Sequence, residues 1–470
     1  MNARAMTRRA AGPLALTLYL TLLVASAPRW PDDWDGIGFV ESVHDFDIER
    51  FHPHPPGYPV YVALLRAAAA VVGDSFRAAV LVAAVSGAVA IALTWDAVRR
   101  LAGERAAWTA ASLAAVAPGI WRACSGVGSE APALAAAAAC AWGLVVLSRG
   151  ESVASRAASI ALGAGAGLGL GVRLSWGPIY AGALALAPRF ARPLAWGIAA
   201  VSCAAWGGGL IAAMGGANLA RVYGAHFAGH AVRWGGTIVT EPGWVRFAWM
   251  ARDIFVDGMG AGRDPLGLAV GVFGGIAGCQ AFALGWETRW RGWRRLSALF
   301  VPYVIWIGLG QNLRDQPRHT VPLVALLLVG LAIPAARSRR AAAIAGALAV
   351  LLLFRTTADA YVRRTVPPPG QQLVDLARAQ PPQSRPLVFG AASVRFFEMT
   401  DLAGRARVVG SLGEVRLELA RVANPSGPVW VTSELAGRDE ASAHLRLIAN
   451  LCRLARVQRA TPCLGVYEWF

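Results

Sequence analysis

Apolar runs of roughly membrane length alternate with short basic or polar breaks over the first three quarters of the chain. They fall at 12–28, 78–98, 106–121, 131–148, 157–171, 174–188, 194–213, 264–286, 296–310, 320–336 and 340–356. Several are shorter than the ~20 residues that carry a helix across a bilayer, so boundaries between neighbours are loose. Residues 59–73 are apolar too and raise a question of parity. Counted as a full span they put Arg99, Arg100, Arg105 and Arg149 outside; as a helix lying on the outer surface they leave the basic breaks on the cytoplasmic side. The pattern therefore predicts an α-helical polytopic membrane protein of about eleven spans plus a juxtamembrane helix at 59–73, with the N-terminus inside. Ala25-Ser26-Ala27 has the look of a signal-peptidase site, but Pro28 directly after it favours an uncleaved helix. The small-residue run GAGAGLGLG at 163–171 suits close packing of helices.

Beyond residue 357 the pattern changes. Pro367-Pro368-Pro369-Gly370 reads as part of a linker over 358–372. After it, β-like runs (PLVFG, ARVVG, PVWVTS, CLGVYEW) alternate with helix-compatible runs (EVRLELARV, ASAHLRLIANLCRL). The expectation is a small α/β extracytoplasmic domain over 373–470 attached to a transmembrane domain over 1–357.

Composition agrees with that picture: 56% of the 470 residues are hydrophobic and 16% charged, which excludes an ordinary soluble enzyme. The net charge of +17 comes from short clusters between apolar runs, such as Arg8-Arg9, Arg99-Arg100, Arg294-Arg295 and Arg339-Arg340. That is the positive-inside distribution, and it argues against nucleic acid as a partner. Cys124, Cys140, Cys203 and Cys279 lie in or beside apolar runs without metal-ligand spacing; Cys452 and Cys463 lie in the polar tail, as a disulfide or as two thiols.

Chemistry concentrates in one stretch, Asp32 to Tyr61, where seven acids and three histidines follow the first apolar run. At bilayer depth each acid costs roughly 2.5–3.5 kcal/mol, so the stretch lies in water or lines a polar cavity. In His52-Pro53-His54-Pro55-Pro56 each proline holds its predecessor extended, Gly57 permits a turn, and Pro59 fits the first turn of a helix. A stiff corner carrying His54 and Tyr58 is the result.

Asp35, Phe39, Phe46-Asp47 and HPHPPGYPVY together resemble the first extracytoplasmic loop of bacterial GT-C glycosyltransferases of the protein O-mannosyltransferase and aminoarabinose-transferase type, most of all the subgroup with His-Pro-Pro-Gly-Tyr-Pro. The likeness is specific over about thirty residues; farther along it is one of layout. It implies a GT-C-like fold in the plasma membrane, a polyprenyl-phosphate-linked sugar as donor, and a lipid, glycan or protein acceptor outside the cell. The resemblance makes Asp35 the catalytic base, with Asp33 as its alternative or helper.

Other residues follow from the layout. The expected topology brings Trp121–Glu130, Gly215–Arg263 and Gly310–His319 to the outer side, where they meet the first loop. Glu130 begins a helix there, with Ser129 placed to cap it, and related proteins carry a second acid in this loop. Arg318-His319 precede Val321-Pro322 in a pattern similar to the family's late Arg-Tyr-x-x-Pro, and an arginine there is suited to a carrier phosphate. Arg173, between two outer helix ends, is a candidate of the same kind. With His54 and Tyr58, these make Glu130, Arg173, Arg318 and His319 the expected substrate-binding set. No metal ligand is assigned, and a divalent cation held by His52, His54 and nearby acids stays open as a cofactor. A lipid-linked sugar transporter, or a catalytically inactive glycolipid-binding relative, are the rival functions. The transporter requires ionisable residues at mid-span, whereas these gather at one face.

Overall fold

A computed structural model describes residues 3–150, 154–233, 236–288, 291–313, 316–421, 427–436, 445–453 and 463–469. Helix α1 (Ala3–Ala25) leads into the acidic stretch, in which a short α2 (Trp34–Glu41) precedes α3 (Pro59–Val72). The bundle continues through α4 (Ser75–Ala102), α5 (Glu104–Val116), α6 (Pro118–Ser125), α7 (Glu130–Ser148), α8 (Ser155–Val172), α9 (Gly177–Leu186) and α10 (Arg192–Met214). Two helices of the long loop follow, α11 (Gly216–Ala228) and α12 (Gly243–Arg252), and then α13 (Pro265–Thr288), α14 (Arg291–Gly310), α15 (Val321–Ala332) and α16 (Arg339–Thr365). Each of the eleven apolar runs coincides with one of these helices, and the run at 106–121 is split into α5 and α6 at Ala117-Pro118, where the proline opens the new helix. Among the described residues six helical stretches are long and apolar enough to cross a membrane.

Small residues set the distances inside the bundle. A β-carbon at Gly163 or Gly167 of α8 would come within 2.5 and 2.7 Å of the Ala195 and Ala199 carbonyls of α10. One at Gly165 would meet the Ala136 carbonyl of α7 at 2.8 Å. The 163–171 run thus packs two neighbours at once, as its composition predicts.

The last hundred residues form a five-stranded mixed sheet of β1 (Leu387–Gly390), β2 (Ala406–Val408), β3 (Val429–Thr432), β4 (Leu445–Cys452) and β5 (Cys463–Trp469), in the order β2-β1-β3-β5-β4. Strand β1 runs parallel to β2 and β3, and β5 antiparallel to β3 and β4. Helices α17 (Pro369–Arg378) and α18 (Leu412–Arg421) flank the sheet. Two expectations need correction. The 358–372 linker is largely helical, because α16 runs on to Thr365 and α17 starts at Pro369. The run read as helix-compatible at 441–454 is strand β4 where it is described: pairing with β5 from Leu445 to Cys452, with a register shift between Leu447 and Ala449 that turns Leu445 to one face and Ala449 and Leu451 to the other, outweighs the helical spacing. Cys452 and Cys463 face each other across that ladder and form a disulfide.

The acidic stretch is held from both sides. On α2, Ile37 is buried in the core of the C-terminal domain with Leu373, Val388, Phe397 and Trp430, whereas Phe39 is buried in the core of the bundle. Gly38, between them, lies against the returning loop, and a β-carbon there would sit 2.3 Å from the Phe51 carbonyl oxygen. Gly38→Ala is therefore expected to cost about 1–3 kcal/mol, the usual toll of overpacking. It should read out as a lower Tm in detergent micelles; an unchanged Tm contradicts the close approach.

Candidate active site

Helix α2 exists because Asp33 caps it: in extended conformation, its carboxylate accepts the Gly36 N–H at 2.9 Å. Asp35 then falls in the first helical turn, where the exposed backbone N–H groups favour a negative charge. The loop returns through paired main-chain bonds between Asp47 and His52, each 2.7 Å. Gly57 turns at φ 90°, where a side chain would strike Ile48, and Pro59 opens α3 as its position predicts. The corner brings His54 and Tyr58 onto the same side as Asp35.

The expected residues then meet as a chain of alternating charge. The Tyr58 hydroxyl and His54 Nε2 share a 2.7 Å hydrogen bond. His54 Nδ1 stands 3.2 Å from Asp35 Oδ1, out of line for a hydrogen bond. Arg318 donates to Asp35 Oδ2, with Asp33 and Glu130 each 3.9 Å from its guanidinium. Arg173 donates to Glu130 Oε1 and to Ser129 Oγ, both at 2.8 Å. Ser129 consequently does not cap α7; its hydroxyl is spent on Arg173, which corrects the capping expectation. Only His319 stands apart from this chain by side-chain contact. Its ring is buried, and its carbonyl accepts the Tyr303 hydroxyl at 2.7 Å.

The three segments expected beside the first loop do converge on it. Trp121 donates to Ser26 Oγ at 3.2 Å, Tyr223 of α11 donates to the Pro56 carbonyl at 2.6 Å, and Arg318 reaches Asp35. Between the first loop, α6 and the start of α15 lies a small open cavity of about 120 Å³. Asp33, Glu130, Arg318, Arg122, Thr320 and Val324 are on its walls, whereas Asp35 lies behind Arg318 and is 3% exposed.

Electrostatics separate the two acids. Desolvation and then the Asp35 charge push Asp33 up to about 7, although 40% of its side chain is exposed. For Asp35 burial works in the raising direction, but Arg318 outweighs it and holds the carboxyl below its ordinary range. Burial brings His54 down to about 4, with Arg318 adding to the effect, so it is neutral at physiological pH; burial drives Tyr58 up to about 12. Among the described residues the only side-chain hydrogen bond of this neutral ring is the one its Nε2 shares with the Tyr58 hydroxyl, and its Nδ1 lies beside Asp35 without bonding it.

Sequence reasoning missed the groups beside this chain. Asp32 accepts from Arg363 of α16 and from Arg453 at the end of β4. Arg122 of α6 lies 3.7 Å from Asp359 of α16. His226 and His230 of the long loop meet edge to face at 4.6 Å and lie within electrostatic range of Asp35. His52 turns away from the site towards Asp45 and Glu398. Among the described residues no three His, Cys, Asp or Glu side chains are grouped to hold a metal ion.

Residues 52–211 match the family model described as dolichyl-phosphate-mannose-protein mannosyltransferase. No curated protein matches the sequence. Among solved structures, ArnT from Cupriavidus metallidurans bound to undecaprenyl phosphate superposes with a TM-score of 0.57 at 11% identity, over 99% of this chain and 98% of that one. The archaeal oligosaccharyltransferase AglB from Archaeoglobus fulgidus, in complex with an inhibitory peptide and a dolichol-phosphate, gives 0.45 at 14% identity, over 80% of this chain and 58% of that one.

Proposed function

We propose that this chain, which has the GT-C fold of membrane glycosyltransferases, transfers a sugar from a polyprenyl-phosphate carrier to an extracytoplasmic acceptor. The observation that carries the reading is the meeting of Asp35 and Arg318, 283 residues apart, beside one cavity at the bundle's end. In the reaction the acceptor hydroxyl gives its proton to a carboxylate and its oxygen bonds the anomeric carbon. The bond from that carbon to the carrier phosphate breaks, and the phosphate leaves with the electron pair. A single displacement of this kind inverts the anomeric centre. Arg318 turns from Asp35 to the phosphate as its charge grows, which frees Asp35 to take the proton. Glu130, held by Arg173, stands on the far side of Arg318, and His54 with Tyr58 packs beside Asp35. Basic breaks between the helices and the Cys452–Cys463 disulfide support a plasma-membrane orientation with the N-terminus cytoplasmic and the loop and C-terminal domain outside.

One observation favours a second assignment of the base: Asp33, and not Asp35, lines the cavity, and its carboxyl is raised towards neutrality. A base works only when deprotonated, so the two assignments differ in pH dependence. If Asp33 takes the proton, kcat/KM rises about tenfold per pH unit up to about 7 and then levels. If Asp35 does, the rate is flat from the ordinary carboxylate range upward, because its depressed carboxyl is already ionised. We expect the flat profile, and Asp33→Asn to lose less than tenfold. A rise that levels near pH 7 and vanishes in Asp33→Asn transfers the role to Asp33.

The whole reading is tested by incubating purified protein with a panel of polyprenyl-phosphate sugars and an acceptor extract, and following release of the carrier phosphate. Release that depends on Asp35 is expected. Movement of the lipid-linked sugar across liposome membranes without release points instead to the transporter.

A further inference from the structure

Between the cavity and the C-terminal domain lies a second charge cluster, with both of its arginines buried. Asp32, one residue before the α2 cap, accepts from Arg363 at both carboxylate oxygens, Nε reaching Oδ1 at 3.4 Å, and from Arg453 at Oδ1. The two arginine side chains are 2% and 1% exposed, and Asp32 is 17% exposed on the wall of the cavity. Arg363 also donates to Ser125 Oγ of α6 at 3.3 Å, so one end of this bridge is fixed in the bundle. Arg453 fixes the other. It follows Cys452 directly, the disulfide to Cys463 pins that end of β4 to β5, and the Cys452 carbonyl accepts from Gln372 of α17 at 3.0 Å.

Arg363 ties Asp32 to the bundle and Arg453 adds the tie to the C-terminal domain, and each of these buried cations needs the carboxylate, since a cation without a partner in low dielectric is strongly unfavourable. Asp32 is bonded directly to the Asp33 cap and lies three positions before Asp35. A shift at Asp32 is therefore passed directly to the carboxylates that face Arg318. The apolar side of the same junction agrees: Ile37 of α2 is in the core of the C-terminal domain, and the Arg395 guanidinium lies 5.7 Å from the Trp34 ring and 5.0 Å from that of Phe51.

We infer that the C-terminal domain is a working part of the active site, in which the Cys452–Cys463 disulfide holds Arg453 on Asp32 as a positioning residue that fixes the catalytic loop. The catalytic side of the inference rests on the proposed transferase reading; the positional side does not. Opening the disulfide or removing the Arg453 contact lets Asp32 move, and a displacement of about 1 Å at the reacting groups is worth up to about a hundredfold in rate.

The test uses the full-length protein in nanodiscs. Reduction of the folded wild type is expected to lower kcat by tenfold to a hundredfold, reversibly on reoxidation, with donor KM changed less than threefold. Arg453→Gln should show the same loss without further response to reductant, and Arg453→Lys should recover part of it. Amide hydrogen exchange over 33–41 is followed in the same samples and is expected to speed up on reduction and in Arg453→Gln. Because reduction acts on protein already folded, a variant that fails to fold does not remove the test. Unchanged exchange on reduction overturns the inference whatever the activity. Faster exchange with transfer kept within twofold overturns its catalytic side, and faster exchange in a wild type that transfers no sugar counts against the transferase reading instead.

Discussion

Asp35→Asn is expected to lower kcat for sugar transfer about a thousandfold, within the range that general-base catalysis supplies, while leaving the protein folded and the donor bound. Two physical reasons separate the chemical loss from a structural one. Asparagine has the shape of aspartate, so the buried volume behind Arg318 stays filled. Arg318 is also not orphaned, because Asp33 and Glu130 remain 3.9 Å from its guanidinium. The generic cost of breaking a buried pair, about 3–5 kcal/mol, applies to a cation left with no partner. Here the local loss includes the helix-terminus term, about 0.3–1 kcal/mol at the first turn of α2. The check is single-turnover transfer with titration of donor binding in the same preparation. Transfer within tenfold of the wild type removes Asp35 from the role of base.

How much of this was legible in the sequence depends on the range of the interaction. Local patterns carried well. Apolar runs became helices, Pro59 opened α3, and the 163–171 glycines became a contact face. Charges at the expected helix ends also carried: Glu130, Arg173 and Arg318 meet beside Asp35. What failed was the choice of partners over long separations. Asp32 pairs with residues 331 and 421 positions away, and among 45 basic residues nothing local marks Arg363 or Arg453. Ser129 was misread because its helix-capping geometry is common, whereas its actual partner, Arg173, lies 44 residues on. The roles of Asp33 and Asp35 were not separable either. They differ in whether the side chain caps a helix or lies within its first turn, and that decides which faces the cavity and which is shielded.

Arg318→Lys carries the other large expectation, a fall in kcat of about 10²–10³-fold, the scale on which removal of one preorganised donor to a developing charge is measured. The substitution keeps the positive charge, so its effect isolates the fork. A guanidinium can donate to Asp35 while its other nitrogens stay near Asp33 and Glu130, and can then offer two parallel N–H groups to a departing phosphate. An ammonium on a flexible stem does one of these at a time. The pH profile should move as well. Arg318 is what holds the Asp35 carboxyl below its ordinary range against the opposing effect of burial. With that contact weakened the carboxyl rises, less of it is ionised on the acid side, and the acidic limb of kcat/KM shifts to higher pH. Arg318→Gln, which removes the charge, should shift it further. A Lys variant that turns over within threefold of the wild type, with its acid limb unmoved, means that Arg318 neither meets the leaving phosphate nor tunes the base, and is only an anchor for the loop.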